Sequence, residues 1–134
     1  MAKGGPELVF CSLGGAGEIG MNLNLFGYGK PGEYKWIIVD IGVTFSDDNI
    51  PGIEVILPNP EFIANQKENL LGIVLTHAHE DHVGAIAHLW PLLECPIYAT
   101  PFTAAIVKEK FKELKINIGS HLKIVKLEIG RAHV

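Results

Sequence analysis

Cysteine is scarce: the 134 residues hold only two, Cys11 and Cys95. Two widely separated thiols exclude a disulfide framework and a zinc ribbon, which need several or closely spaced cysteines. Each lies in an apolar stretch that reads as strand or strand entry, so buried free thiols in a reducing compartment are expected. Long apolar runs are also missing, and none approaches the length that spans a bilayer. Met1 to Glu7 holds one lysine and no apolar stretch, so no signal peptide is expected. These absences point to a cytoplasmic protein with no membrane partner. An excess of positive charge is lacking as well: Lys and Arg total 11 against 15 Asp and Glu, a net charge of −4. The overall basicity by which many nucleic-acid binders are recognised is therefore absent. Lys108, Lys110, Lys112 and Lys115 do cluster, but Glu109 and Glu113 interleave with them on a helical segment, which reads as a solvated face. Charged residues make up 19% and hydrophobic residues 48%, a balance that excludes disorder and allows one modest domain.

The apolar pattern predicts a succession of strands, then alternating strands and helices. Leu8 to Leu13 reads as a strand that stops at Gly14-Gly15, and Gly14 to Gly20 holds four glycines. Met21 to Phe26 alternates apolar and polar residues with a period of two, as a half-buried strand does. Gly27 to Gly32 reads as a hairpin connection. Trp36 to Val39 is continuously apolar and ends at Asp40, which predicts a strand buried on both faces. Residues 42–60 read as loop. A short helix is predicted over Glu61 to Gln66, with Pro60 at its first position. Leu70 to Leu75 reads as another buried strand. Val83 to Leu93 has helical spacing that Pro91 should end or kink. Pro96 to Ala99 reads as a short strand, and Thr100-Pro101 as a helix start. Ile106, Val107, Phe111 and Leu114 mark the expected buried face of that helix. Leu122 to Leu127 reads as a final strand. The fold class expected is α/β, a mixed sheet with flanking helices.

The chemistry concentrates in His77-Ala78-His79-Glu80-Asp81-His82. Four potential ligands, His77, His79, Asp81 and His82, follow a buried strand and precede an apolar helix. Residues two apart in extended chain point the same way, so His77 and His79 suit one metal ion. Asp81 and His82 sit at the turn into the helix, are expected to point elsewhere, and suit a second. Imidazole and carboxylate favour Zn2+, with Mn2+ or Fe also within reach of such donors. Paired metals lower the pKa of water and clamp the attacking and leaving oxygens of an in-line displacement, the demand that phosphodiester hydrolysis makes. Asp81 would also orient the attacking water or accept its proton, which makes it the candidate catalytic residue. A histidine-rich surface loop is the bland alternative, and three histidines with an aspartate at this spacing argue against it. Glu80 reads as facing solvent or supporting a ligand from behind. His88, on the apolar helix, reads as a helix-surface residue, and His121 has no partner spacing. Asp40, taken alone, is a strand-end turn former.

The pattern His77-x-His79-x-Asp81-His82 resembles the metallo-β-lactamase superfamily signature. Gly14 to Asn22, Val39-Asp40-Ile41-Gly42, Pro51-Gly52-Ile53, Leu57-Pro58 and Thr76 to Gly84 together resemble the ribonuclease J family of its β-CASP branch, over most of residues 8–127. The resemblance implies the N-terminal half of an αββα sandwich, with Asp40 supporting the metal loop from behind. It also implies two Zn2+ ions per complete site, with Mn2+ or Mg2+ as alternatives. The activity implied is endonucleolytic and 5′-to-3′ exonucleolytic cleavage of RNA by a cytoplasmic homo-oligomer. The glycine-rich segment lacks dinucleotide-fingerprint spacing and leads into a strand, so it reads as a tight turn or cleft rim, not a phosphate cradle.

The family pattern asks for further ligands, a β-CASP domain, the second half of the sandwich and a C-terminal oligomerisation region. Residues 1–127 are therefore read as a partial domain, expected to bind metal weakly and not to cleave RNA by itself. Residues 128–134, Glu-Ile-Gly-Arg-Ala-His-Val, read like translated adapter sequence and are expected to be non-native, which leaves His133 without a role. Two other functions stand beside the ribonuclease reading. One is a thioester or lactone hydrolase of the same fold, against which the Gly14 to Asn22 segment argues. The other is a metal-binding module without catalysis.

Overall fold

The computed structural model describes residues 5–14, 22–42, 44–45, 55–56 and 58–126. Most of the glycine-rich segment, Pro51 to Ile53, and the tail from residue 127, with His133, lie outside the described residues. In chain order the elements are β1 (Glu7–Gly14), β2 (Leu23–Gly29), β3 (Lys35–Ile41), β4 (Thr44–Phe45), β5 (Val55–Ile56), α1 (Glu61–Ala64), β6 (Leu70–Val74), α2 (Glu80–Val83), α3 (Ile86–Leu93), β7 (Ile97–Ala99), α4 (Pro101–Glu113) and β8 (Leu122–Ile124). Single 3-10 turns occupy Lys67–Asn69 and Gly119–His121.

Six strands form one mixed sheet in the order β1-β2-β3-β6-β7-β8. The first three are an antiparallel meander, and β3, β6, β7 and β8 run parallel. Parallel neighbours need crossover connections, and α1, α2 with α3, and α4 supply them. β4 and β5 pair separately as a two-stranded ribbon. The expected α/β mixed sheet with flanking helices is the architecture observed.

The core lies between the sheet and its helices. Leu23 and Leu25 on β2, Ile38 on β3, Ile73 on β6 and Ile97 on β7 meet Ile63, Ile86, Leu89, Leu93, Val107 and Phe111 from the helices. The alternation foreseen for β2 is present, since Leu23 and Leu25 are buried and Asn24 is not. The opposite side of the sheet is apolar and, among the described residues, largely open. Cross-strand partners share a face, and the pairs Leu8–Tyr28, Phe10–Phe26, Phe26–Ile37, Val39–Val74 and Val74–Tyr98 run across it. Leu8 is 70% exposed and Phe10, on the same strand, is 59% exposed.

That uncovered face corrects two readings. β3 and β6 are not buried on both sides among the described residues. Ile37 and Val39 are half-buried and Val74 is exposed, because helices cover one side only. Several boundaries also move. The helix expected over Glu61 to Gln66 is a single turn, Glu61–Ala64, with Pro60 as its N-cap. The helix expected over Val83 to Leu93 begins earlier, at Glu80, and breaks at Gly84-Ala85. Pro91 sits inside α3, which runs on to Leu93 and is closed by Glu94 in the left-handed conformation at φ 48°. On α4 the buried residues are Thr103, Ala104, Val107 and Phe111. Ile106 is only half-buried and Leu114 is 41% exposed, because the sheet-facing stripe is rotated toward Thr103 and Ala104. β8 is shorter than expected, ending at Ile124.

Trp36 anchors one end of the core. Its ring stands edge-on to Tyr34 and Phe62, with centroids 5.6 and 5.5 Å away, and its Nε1 donates to Gln66 Oε1 at 3.2 Å. On the neighbouring strand Gly27 leaves room for that ring: a Cβ there would lie 2.7 Å from Trp36 Cζ3. Because Trp36 is held on three sides, Gly27→Ala is expected to destabilise the chain by about 1–3 kcal/mol. Chemical denaturation of the two proteins measures it.

Both cysteines are free; Cys11 is half-buried and Cys95 buried. Burial pushes the Cys95 thiol from 9.0 up to about 12. A raised thiol pKa means that the neutral form is the one the fold accommodates. Its contribution to stability is complete below pH 9.0 and is lost as the pH climbs toward 12. Iodoacetamide is expected to modify Cys95 only after unfolding, and peptide mapping of native and denatured protein reads this directly.

Candidate metal centre

The sheet positions the site by ending two parallel neighbours, β3 and β6, side by side. β6 passes its last hydrogen bond to β7 from Leu75 N to Tyr98 O, 3.0 Å, and Thr76 then leaves the sheet. On β3 the chain turns at Asp40, whose φ of 68° is left-handed. Aspartate tolerates that conformation better than most residues other than glycine. The turn is held from two sides: Gly42 N donates to Asn22 O at 2.7 Å and Ala85 N donates to Ile41 O at 3.0 Å. The second bond fastens the start of α3 to the end of β3.

Asp40 is 4% exposed. Its carboxylate is satisfied by three donors from the histidine segment. Oδ1 accepts from Thr76 N at 2.8 Å, and Oδ2 accepts from Thr76 Oγ1 at 2.7 Å. His82 Nδ1 lies 2.7 Å from the same Oδ2. An ionised carboxylate only accepts, so His82 Nδ1 carries the hydrogen of this bond, and in the neutral ring the lone pair is then on Nε2. Thr76 Oγ1 is also 2.9 Å from His77 Nδ1.

The single turn of α2 then folds the cluster back on itself. His82 N and Val83 N both donate to His79 O at 2.9 Å. The His79 ring stands edge-on to the His77 ring at a centroid distance of 4.8 Å, and the His82 ring lies 4.0 Å from His77. The structure thus gathers His77, His79 and His82. It differs from the sequence reading over His82, which was expected to point away from His77 and instead approaches it more closely than His79 does. One helical turn reverses the chain within three residues, which spacing alone does not reveal. The side chains of Glu80 and Asp81 lie outside what the structure describes. Their backbone opens α2.

The donors suit a divalent transition metal such as zinc. They are imidazoles, and His82 has its second nitrogen committed to a buried carboxylate, the arrangement that orients metal-ligating histidines. Among the described residues no three His, Cys, Asp or Glu groups already surround a common point where an ion would sit. His88 is exposed on α3, as expected. His121 lies away from the cluster, its ring 5.1 Å from Trp90 and its Nδ1 donating to Ile118 O at 3.1 Å. Thr76 had no role assigned from sequence. Its signal was a hydroxyl directly preceding a candidate ligand.

Asp40→Ala would leave Thr76 N, Thr76 Oγ1 and His82 Nδ1 without their shared acceptor. Because hydrogen bonds to charged groups are among the stronger ones, a loss of about 2–4 kcal/mol in unfolding free energy is expected. Asp40→Asn keeps the shape but offers one acceptor oxygen in place of two, and is expected to fall between wild type and Asp40→Ala in urea denaturation.

Comparison with known proteins bears on what this arrangement belongs to. The chain is 57% identical over 104 residues to ribonuclease J of Sinorhizobium meliloti, a match covering 78% of this chain and 18% of that protein. It is 38% identical over 117 residues to ribonuclease J of Mycolicibacterium smegmatis, covering 87% of this chain and 20% of the relative. The Helicobacter pylori ribonuclease J of strain 26695 is 35% identical over 114 residues, with 84% and 16% covered. The chain therefore spans about a fifth of the length of the relatives it matches. Among solved structures, a long form RNase Z from yeast superposes with a TM-score of 0.53 at 16% identity, covering 92% of this chain and 18% of that one, a likeness of fold. The family profile described as the metallo-beta-lactamase superfamily matches residues 31–128, most of the chain including the whole histidine segment, and the chain belongs to that superfamily.

Proposed function

We propose that this chain is the part of a metal-dependent ribonuclease that supplies its first group of metal ligands. The observation that carries the reading is the gathering of three imidazoles beside a buried carboxylate, in a chain 57% identical over 104 residues to a ribonuclease J. His77, His79, Asp81 and His82 are the proposed ligands, with zinc favoured by the donor types and Mn2+ or Mg2+ as alternatives. When bound, two such cations supply the Lewis acidity that phosphodiester hydrolysis needs. The chain's own contributions are orientation and proton handling. Asp40 holds His82 so that Nε2 is the nitrogen with the lone pair, and it fastens Thr76 at the root of the loop. Asp81 is proposed as the proton acceptor as well as a ligand. RNA is the proposed substrate, cut both internally and from the 5′ end, in the cytoplasm and by a homo-oligomer of the longer protein. Among the described residues no helix is long and apolar enough to cross a membrane.

Four side chains fall short of the three protein ligands that each of two catalytic ions normally takes. Further donors must therefore come from outside residues 77–82. The 134-residue chain alone is expected to bind zinc weakly and to leave RNA intact. In the longer protein that contains it, Asp81→Asn is expected to lower RNA cleavage by about 100-fold or more. His77→Ala combined with His79→Ala should lower the zinc content found by elemental analysis. Undiminished cleavage by both variants, or hydrolysis of thioesters or lactones in place of RNA, would overturn the assignment.

A further inference from the structure

The hydroxyl of Thr76 stands between two groups with opposite needs. Asp40 Oδ2, 2.7 Å away, can only accept, so the single hydroxyl proton points to it. Toward His77 Nδ1, 2.9 Å away on its other side, the same oxygen can then only accept. The hydrogen between them must belong to His77. His82 reaches the same Asp40 Oδ2 directly, through its own Nδ1. One carboxylate oxygen therefore governs two imidazoles, one by contact and one through an intervening hydroxyl.

We infer that Thr76 is a positioning residue that holds His77 in its Nδ1–H tautomer and so turns the Nε2 lone pair toward the cation. The inference rests on the metal-site reading only for that last step; the tautomer itself is a property of the metal-free chain. A neutral imidazole in water favours the Nε2–H form, in which the lone pair sits on Nδ1 and the outward nitrogen cannot ligate. The relay reverses that preference through the carboxylate that His82 already uses. It also couples the ends of the loop: the strand exit at Thr76 and the helix turn at His82 share Asp40, so His77 and His82 are oriented together. Thr76 is exposed and its backbone N–H keeps its own bond to Asp40, so removing the hydroxyl leaves the fold's main connection intact.

The test compares Thr76→Val, which removes only the hydroxyl, with Thr76→Ser, which removes only the methyl. Two-bond 1H–15N correlation spectra of the histidine-labelled, metal-free chain, at a pH where the rings are neutral, report each tautomer. Wild type and Thr76→Ser are expected to show His77 as Nδ1–H, and Thr76→Val to move it toward Nε2–H while His82 keeps its form. Zinc affinity of the longer protein, measured by chelator competition, should fall by about 10- to 100-fold in Thr76→Val and recover in Thr76→Ser, the range typical of partners behind a metal ligand. Thr76→Ala serves in the same role should the valine variant not give a native amide spectrum. An unchanged His77 tautomer in the hydroxyl-free variants would overturn the inference. If the tautomer follows the hydroxyl but no form of the longer protein binds zinc, the relay stands and the metal reading is the one that falls.

Discussion

A carboxylate taken out of water must have its oxygens occupied by donors, or the burial is too costly to sustain. Asp40 meets that condition with three hydrogen bonds, all from the segment Thr76 to His82. The requirement works in both directions. The carboxylate is tolerated because the loop reaches it, and the loop has a defined shape because the carboxylate must be reached. The candidate site hangs on this exchange: the exit of the chain from β6, the orientation of His82 and the turn that brings His82 back beside His77. The left-handed backbone at Asp40 fits the same picture. It is an unfavourable conformation kept where the surroundings determine it fully.

The sheet makes the exchange possible. β3 and β6 are parallel neighbours, so their C-terminal ends finish at the same edge, and the loops that follow them meet there. Helices α3 and α4 cover the other layer and fix the sheet through Leu89, Leu93, Val107 and Phe111. The bond from Ala85 N to Ile41 O joins the two systems, because it fastens the helix that follows the cluster to the strand that carries Asp40. Among the described residues helices lie on one side of the sheet only, which leaves the row from Leu8 and Phe10 through Phe26 to Val74 and Tyr98 uncovered. The same one-sidedness explains why continuous apolar strands such as Leu70 to Val74 did not become two-sided core strands.

Much of this was legible before any coordinates. The period-two alternation of β2 and the apolar runs of β3 and β6 depend on local pattern alone, and so does the placing of a histidine-rich segment directly after a strand. Boundaries were less legible, for physical reasons. The helix expected over Val83 to Leu93, with Pro91 ending or kinking it, does finish at Leu93, but its start moves to Glu80 and it breaks at Gly84-Ala85. The buried stripe of α4 includes Thr103 and Ala104, small residues whose burial comes from their position against the sheet and not from their hydrophobicity.

Sequence by itself determined the inventory of the candidate site and the class of chemistry those residue types suit. Residue type decides what a metal will accept, and the spacing His77-x-His79-x-Asp81-His82 survives any folding. Only the tertiary structure decided how those residues are held. Asp40 lies far from the cluster along the chain, and nothing local distinguishes it from a turn former. It becomes the anchor because strand pairing sets β3 against β6. Thr76 is likewise an ordinary hydroxyl until the same pairing puts a carboxylate on one side of it and an imidazole on the other. Which nitrogen of a histidine bears the proton is a question of neighbours, and neighbours distant in sequence are what folding supplies.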